Sequence, residues 1–424
     1  MGTREHRAHA RWISLCALGV AVLTACGGGT GGMDSPMATS AQSVSGVSEE
    51  AAGDPITPNT TTSEGVDIVP PAVDTGTATT TTTAQATEQA AAATATTTDG
   101  AGTVNSTGTT SAQTAIVQNP MLPYVNLALM PAPGKAFVDT RVKQANTTLS
   151  SQVPAPDKIG AFREPCNYSH MAFDDPIVFP GQPGKSHLHV FFGNTLTNAN
   201  STAESLATTG NSTCAGGVLN RTAYWAPAMI DTATGAPVVP RGSLFYYKSG
   251  YLGIAPSQIT QPPPGLRMIT GDAKNTTGTG PGRFACNMPG APGAWTKSIP
   301  ACGAGGTLNA TVDFPQCWDG VNLDSPDHKS HMANPVHGKC PSTHPVAIPV
   351  ITLNVEYKIG LKDDTTKWRL ASDMYDPSQP GGYSMHGDWF NAWDKDTMKA
   401  FIDNCEKAAK DCHAYLLGDG RMVY

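Results

Sequence analysis

The alternation of hydrophobic and polar positions divides the 424-residue chain into three unequal parts. The first is an apolar run, residues 12–25 (WISLCALGVAVLTA), behind a basic flank of Arg4, Arg7 and Arg11. That run is too short for a permanent bilayer-spanning helix and has the layout of an export leader. From Gly27 to about Gln118 no apolar period is sustained, and tracts such as TATTTTTAQATEQAAAATATTT dominate. Such a segment buries too little apolar surface to offset the entropy of ordering it. Residues 26–119 are therefore expected to be a disordered Thr/Ala/Ser-rich tether. Beyond residue 120, short runs rich in β-branched and aromatic residues recur between turns: SHLHVFFG, AYWAPAMI, SLFYYK, GLRMITGD, TLNATVDF, HPVAIPVITLNVEYKIG and KWRLASD. This predicts a mainly β domain over residues 120–424, with antiparallel sheets and long Pro/Gly-rich loops. One helical period stands out near the C-terminus, DKDTMKAFIDNCEKAAKD, with Met398, Phe401, Ile402 and Cys405 on one stripe.

Charge supports the same division. The chain has 27 basic and 34 acidic residues; setting aside three basic and one acidic residue of the leader and nine acidic residues of the tether leaves 24 of each. A formally neutral folded part is not, by composition, a nucleic-acid binder. The leader ends in Leu23-Thr24-Ala25-Cys26-Gly27, which resembles the bacterial lipobox. That resemblance implies cleavage after residue 25, a lipid on Cys26, and a domain held to a membrane at the cell surface or in the periplasm, with the tether as its stalk. Eight cysteines remain beyond Cys16 and Cys26, at 166, 214, 286, 302, 317, 340, 405 and 412. An even count in an exported chain argues for four disulfides. Eight cysteines allow 105 pairings; the local pairs Cys317–Cys340 and Cys405–Cys412 are the natural guesses, the second requiring the C-terminal helix to break.

The candidate chemistry is concentrated. Nine of the eleven histidines lie after residue 169, and eight of these fall in three stretches. The first is SHMAFDDPIVFPGQPGKSHLHVFFGN, with His170, Asp174, Asp175, His187 and His189. On a strand, His187 and His189 point to one face. The second, CWDGVNLDSPDHKSHMANPVHGKCPSTHP, carries Asp319, Asp324, Asp327, His328, His331, His337 and His344; the third carries His386 and Asp388. Histidines on separate segments suit a divalent metal such as zinc, copper or manganese, with His187, His189, His328 and His331 as candidate ligands. Alternatively, paired carboxyls and a histidine base suit hydrolysis or elimination in a glycan. For that chemistry the candidates are His170, Asp174, Asp175, His187, His189, Asp327, His331, His386 and Asp388, with Trp225, Trp318 and Trp389 as stacking platforms or core residues. The bland alternative is a network of Asp and His side chains satisfying loop backbone. No G-x-S-x-G elbow or H-E-x-x-H motif occurs.

These motifs in order, from SH-x-x-x-DDPIVFPG through FPQCWDG-x-NLDSPDHKSHM to H-x-D-x-x-NAWD, resemble the DUF1996 family over residues 160–394. The family occurs in secreted bacterial and fungal proteins, and the resemblance implies a carbohydrate-related, extracellular setting by association only. Three readings follow: an enzyme acting on an extracellular or cell-wall polysaccharide, a non-catalytic carbohydrate-binding module, or a metal-binding surface protein.

Overall fold

The computed structural model describes residues 122–135 and 147–423. The expected leader, the expected lipidation site Cys26 and the expected tether lie outside the described residues. Two antiparallel-dominated sheets form the body. The first has six strands, numbered here in chain order: β1 (Ala161–Cys166), β5 (Gly242–Lys248), β7 (Arg283–Asn287), β8 (Thr307–Asp313), β9 (Val350–Lys358) and β11 (Asp411–Ala414). Their spatial order is β7-β8-β9-β5-β1-β11, with only β11 parallel to its neighbour. The second has five strands, β2 (Tyr168–Ala172), β3 (His189–Gly193), β4 (Ala223–Pro227), β6 (Arg267–Gly271) and β10 (His386–Phe390), in the order β2-β3-β4-β10-β6.

The period-2 pattern of the sequence is realised in the packing. In β5 the burial alternates along all seven residues, Ser243, Phe245 and Tyr247 facing inward. Val190, Phe192, Tyr224, Ala226, Met268 and Trp389 from the five-stranded sheet share one core with Phe245, Leu308, Val312 and Leu353 from the six-stranded sheet. Each such side chain, taken out of water, contributes roughly 1.5–3 kcal/mol. Phe162 lies between two rings, with centroids 4.5 Å from Tyr247 and 4.1 Å from Phe401. The core also holds a satisfied polar group. The Tyr247 hydroxyl accepts from Trp389 Nε1 and Trp393 Nε1, both at 3.1 Å, so its own proton goes to the Tyr224 hydroxyl at 2.8 Å.

The predicted helix is α2 (Lys395–Phe401), capped by Asp394, whose carboxylate accepts from Thr397 N–H. It passes into a π-helical turn, Ile402–Glu406, before the chain leaves for β11. That break lets Cys405 reach Cys412, and the other disulfides are Cys166–Cys214, Cys286–Cys302 and Cys317–Cys340. A six-residue helix that the pattern did not reveal, α1 (Ala203–Thr208), is held by a Thr202/Ser205 capping box and buries Leu206. It packs on the outer face of the five-stranded sheet, with Leu206 in a second apolar cluster beside Phe191, Trp225 and Phe390. The outer face is thus covered, and the polar groups on it are buried. Gly193 marks how tightly the chain closes there. It sits at φ +80°, and a Cβ would fall 1.9 Å from the Thr222 carbonyl oxygen.

Candidate metal centre

Strand register brings the histidines together. Phe191 pairs with Trp225, and Trp225 with Asp388, so these lie in one row across the sheet. In the next row His189 pairs with Pro227 on one side, and His386 pairs with Gly271 on the other. Because side chains alternate, His189, His386 and Asp388 all project from the covered outer face. Strand β4 separates the two histidines, and two strand spacings amount to about 10 Å. The imidazoles reach toward each other across the strand that carries Pro227. Their ring centroids are 5.6 Å apart. His187 lies just ahead of β3 rather than on it, yet its ring centroid is 4.2 Å from that of His189.

The three Nε2 atoms converge. His386 Nε2 is 3.2 Å from His187 Nε2 and 3.4 Å from His189 Nε2. The opposite nitrogens fix the tautomers. His189 Nδ1 lies 2.9 Å from the Asp174 carbonyl oxygen, and His386 Nδ1 lies 2.8 Å from that of Ser384. A carbonyl only accepts, so each Nδ1 carries the proton and each Nε2 presents a bare lone pair. Two lone pairs facing each other at 3.4 Å do not make a hydrogen bond; they make a cation-binding arrangement. Tetrahedral zinc, with Zn–N bonds of about 2.0–2.1 Å, places its nitrogens about 3.3 Å apart. The two separations from His386 Nε2 fit that edge length, and the ligand nitrogens of all three histidines lie within 4.8 Å of one another. Backbone carbonyls on the far nitrogens are also the partners that orient metal-bound histidines.

His189 is fully buried and His386 nearly so, while His187 is half-buried. Burial pushes the His189 and His386 imidazoles down to about 4, the neighbouring His189 adding to the effect on His386. Burial, then His189 and His386, holds His187 well below the ordinary range. The trio is therefore neutral and ready to ligate at working pH. Two carboxyl groups stand close by. Asp388, 1% exposed, is two residues from His386 on the same face, and its Oδ2 has no hydrogen-bond partner. Burial and then the charge of Asp175 push its carboxyl up. Asp175 is raised by burial although its Oδ1 accepts from the N–H groups of Ile177 and Val178, both at 2.9 Å.

The other candidates are placed differently. His170 stacks on Phe191 with centroids 4.8 Å apart, and its Nε2 donates to the Thr197 carbonyl at 3.0 Å, which ties a loop to the sheet. Asp174 Oδ1 accepts from Gly184 N–H, and its carbonyl orients His189. His331 has both nitrogens engaged, Nδ1 with Ser325 Oγ at 2.9 Å and Nε2 donating to the Arg267 carbonyl at 2.7 Å. His328 is paired with Asp324 at 2.9 Å, and Asp324 also takes Arg267. Neither His328 nor His331 joins the His187/His189 pair; His386 takes the third place. Asp327 accepts from Ser325, Lys329 and Ser330, which holds its carboxyl far below the usual range. Asp319 and His344 likewise brace the loop that Cys317–Cys340 closes. The second stretch does send one group to the centre, Lys329. Its Nζ donates to the Gly271 carbonyl at 2.7 Å, and its charge acts on both His386 and Asp388. As for stacking platforms, Trp225 and Trp389 are fully buried, and half-buried Trp318 donates Nε1 to the Asn322 carbonyl at 2.6 Å. Trp225 and Trp389 are core residues.

The fold and site define a disulfide-bonded β protein with two main sheets and three convergent histidines on the covered face of one of them. The chain belongs to the family described as domain of unknown function DUF1996, whose profile matches residues 175–393 and so spans the triad, Asp175 and Asp388. No curated protein and no solved structure matches the chain.

Proposed function

We propose that the domain is a divalent-metal protein, with zinc held by Nε2 of His187, His189 and His386, and that it acts as a metal-assisted hydrolase on an extracellular polymer. The observation that carries this reading is the pair of bare Nε2 atoms on His189 and His386, 3.4 Å apart, each with its Nδ1 proton given to a backbone carbonyl. Three neutral imidazoles with a further position open is the donor set of catalytic zinc sites, whereas structural sites are closed by four protein ligands. Bound zinc would polarise an oxygen of the substrate and activate water. The Asp175 and Asp388 carboxyls, within electrostatic reach of each other, would accept and return protons beside it. An extracellular setting is supported by the leader and by four disulfides, which persist in oxidising compartments. Anchoring through Cys26 and a polysaccharide substrate are part of the same proposal, carried by the sequence.

The test is metal analysis of the full exported chain by plasma mass spectrometry. The protein is stripped with chelator and reloaded separately with zinc, copper or manganese. One equivalent of zinc in the parent and none in a folded His187→Ala/His386→Ala variant is expected. A folded parent that retains no metal after loading overturns the reading.

A further inference from the structure

The His386 imidazole is aimed by one contact. Among the described residues its Nδ1 has a single partner, the Ser384 carbonyl at 2.8 Å, whereas the Nδ1 of His189 has both the Asp174 carbonyl at 2.9 Å and Ser186 Oγ at 3.0 Å. The direction of the His386 Nε2 lone pair therefore depends on what holds the Ser384 carbonyl. The peptide group between Ser384 and Met385 is planar, and in a trans peptide N–H and C=O point opposite ways. Met385 N–H donates to the Gly382 carbonyl at 3.1 Å, which turns the Ser384 carbonyl to the other side, where His386 Nδ1 meets it.

Both ends of this turn, Gly382 and Ser384, are held by one buried carboxylate, Asp373. Its Oδ2 accepts from the N–H groups of Gly382 at 2.7 Å and Leu370 at 2.9 Å. Its Oδ1 accepts from Ser384 Oγ at 2.6 Å and from Ser384 N–H at 3.3 Å. A carboxylate only accepts, so the Ser384 hydroxyl proton goes to Asp373, and Ser372 Oγ, 2.7 Å away, donates to Ser384 Oγ in turn. Gripped at its N–H and its hydroxyl by the same oxygen, Ser384 cannot turn about its Cα without losing one of the two bonds. Gly382 sits at φ +109°, and a Cβ there would fall 2.6 Å from the Phe284 ring, so the turn takes this shape only with glycine. The far half of the loop is tied separately. The buried Arg369 guanidinium donates to the Gln379 carbonyl at 2.8 Å and to the Tyr375 carbonyl at 3.3 Å. Asp373 thus governs the half that ends on His386.

We propose that Asp373 is a positioning residue of the histidine centre: through Ser384 it keeps His386 in the Nδ1–H tautomer with Nε2 aimed at the metal. The inference rests on the metal reading above and names the residue that shapes one of its ligands. The decisive change is Asp373→Asn, nearly equal in shape but with one accepting oxygen in place of two, so its amide nitrogen must face donors on one side. The test takes two readouts on the full chain. Long-range proton–nitrogen correlation spectra of the stripped protein, with His386 assigned through a His386→Gln variant, report which imidazole nitrogen carries the proton. Competition against a chromophoric chelator reports zinc affinity. The parent should show His386 as the Nδ1–H tautomer alone. Asp373→Asn should show a share of the Nε2–H tautomer and bind zinc about tenfold more weakly, the loss typical of groups behind a metal ligand. Ser384→Ala removes only the hydroxyl clamp and should move both readouts the same way by less. Thr365→Ala removes a similar buried clamp elsewhere, on Cys302 N–H and the Pro300 carbonyl, both at 2.8 Å, and should move neither. If Asp373→Asn does not fold, Ser384→Ala carries the test. A folded variant of the pair with parental tautomer and parental affinity overturns the inference, as does an equal shift in Thr365→Ala. A tautomer shift confined to the Asp373 and Ser384 variants, in protein that takes up no zinc, sinks the metal reading and upholds the positioning role.

Discussion

Zinc affinity should hardly change when the pH falls from about 7 to about 5.5, where the affinity of a surface histidine site would collapse. A metal must compete with protons for each imidazole. With the ordinary value of about 6.5, each histidine at pH 5.5 is protonated about ten to one, and two such ligands lose on the order of a hundredfold in affinity. His189 and His386 are instead held down to about 4 by burial. At pH 5.5 each remains more than about nine-tenths neutral, so the combined loss stays under about twofold. His187 is shifted in the same direction and adds no loss. The assay is competition of the stripped full chain against a chromophoric chelator at several pH values, corrected for the chelator's own protonation. A fall of about a hundredfold across this interval would refute the argument that these histidines are buried and neutral. The same shifts fix the sign of the apo protein's stability. Unfolded histidines take up protons below about 6.5 while the folded ones resist until about 4, so stability should drop as the pH falls through that window.

Two further outcomes follow from groups away from the centre. Glu164 is fully buried between the sheets, neither oxygen lies in good hydrogen-bond geometry, and Asn220 and the Ala215 backbone offset only part of the upward push of burial on its carboxyl. A raised folded value means that the favourable contribution exists below the unfolded range and is lost as pH rises through the folded value. Glu164→Gln should therefore raise stability at neutral pH by roughly 1–3 kcal/mol and show no gain near pH 4, as read by denaturant unfolding at the two pH values; an unchanged or lowered midpoint at neutral pH would count against it. Cys166–Cys214 spans 48 residues, so Cys166→Ala/Cys214→Ala should cost about 4 kcal/mol through freedom restored to the unfolded chain. A loss below about 1 kcal/mol in urea unfolding would show that the unfolded state is already constrained there.

Much of the fold was legible in local pattern. The runs SLFYYK and TLNATVDF became β5, whose burial alternates, and β8, which is buried on both faces along its middle. The stripe of Met398, Phe401, Ile402 and Cys405 became the buried side of α2 and its π turn. Cys317–Cys340 and Cys405–Cys412 formed as local pairs, whereas Cys166–Cys214 and Cys286–Cys302 could not be chosen from spacing, because contact depends on where loops return.

For the site, the sequence determined that His187 and His189 share a direction, since i and i+2 do so in any extended backbone. The same rule puts His386 and Asp388 on one face of β10, a strand that is not among the runs the sequence pattern picks out. Tertiary structure alone decided which third histidine completes the set. His328 and His331 are plausible by spacing, but their loop turns them toward Asp324, Ser325 and the Arg267 carbonyl. His386 is 197 residues from His189 and reaches it because β10 lies one strand away, across β4, in a register that puts both beside Pro227. Local periodicity sets the direction of a side chain, but strand order and register set its neighbours, and those arise from long-range pairing and burial that no short window of sequence contains.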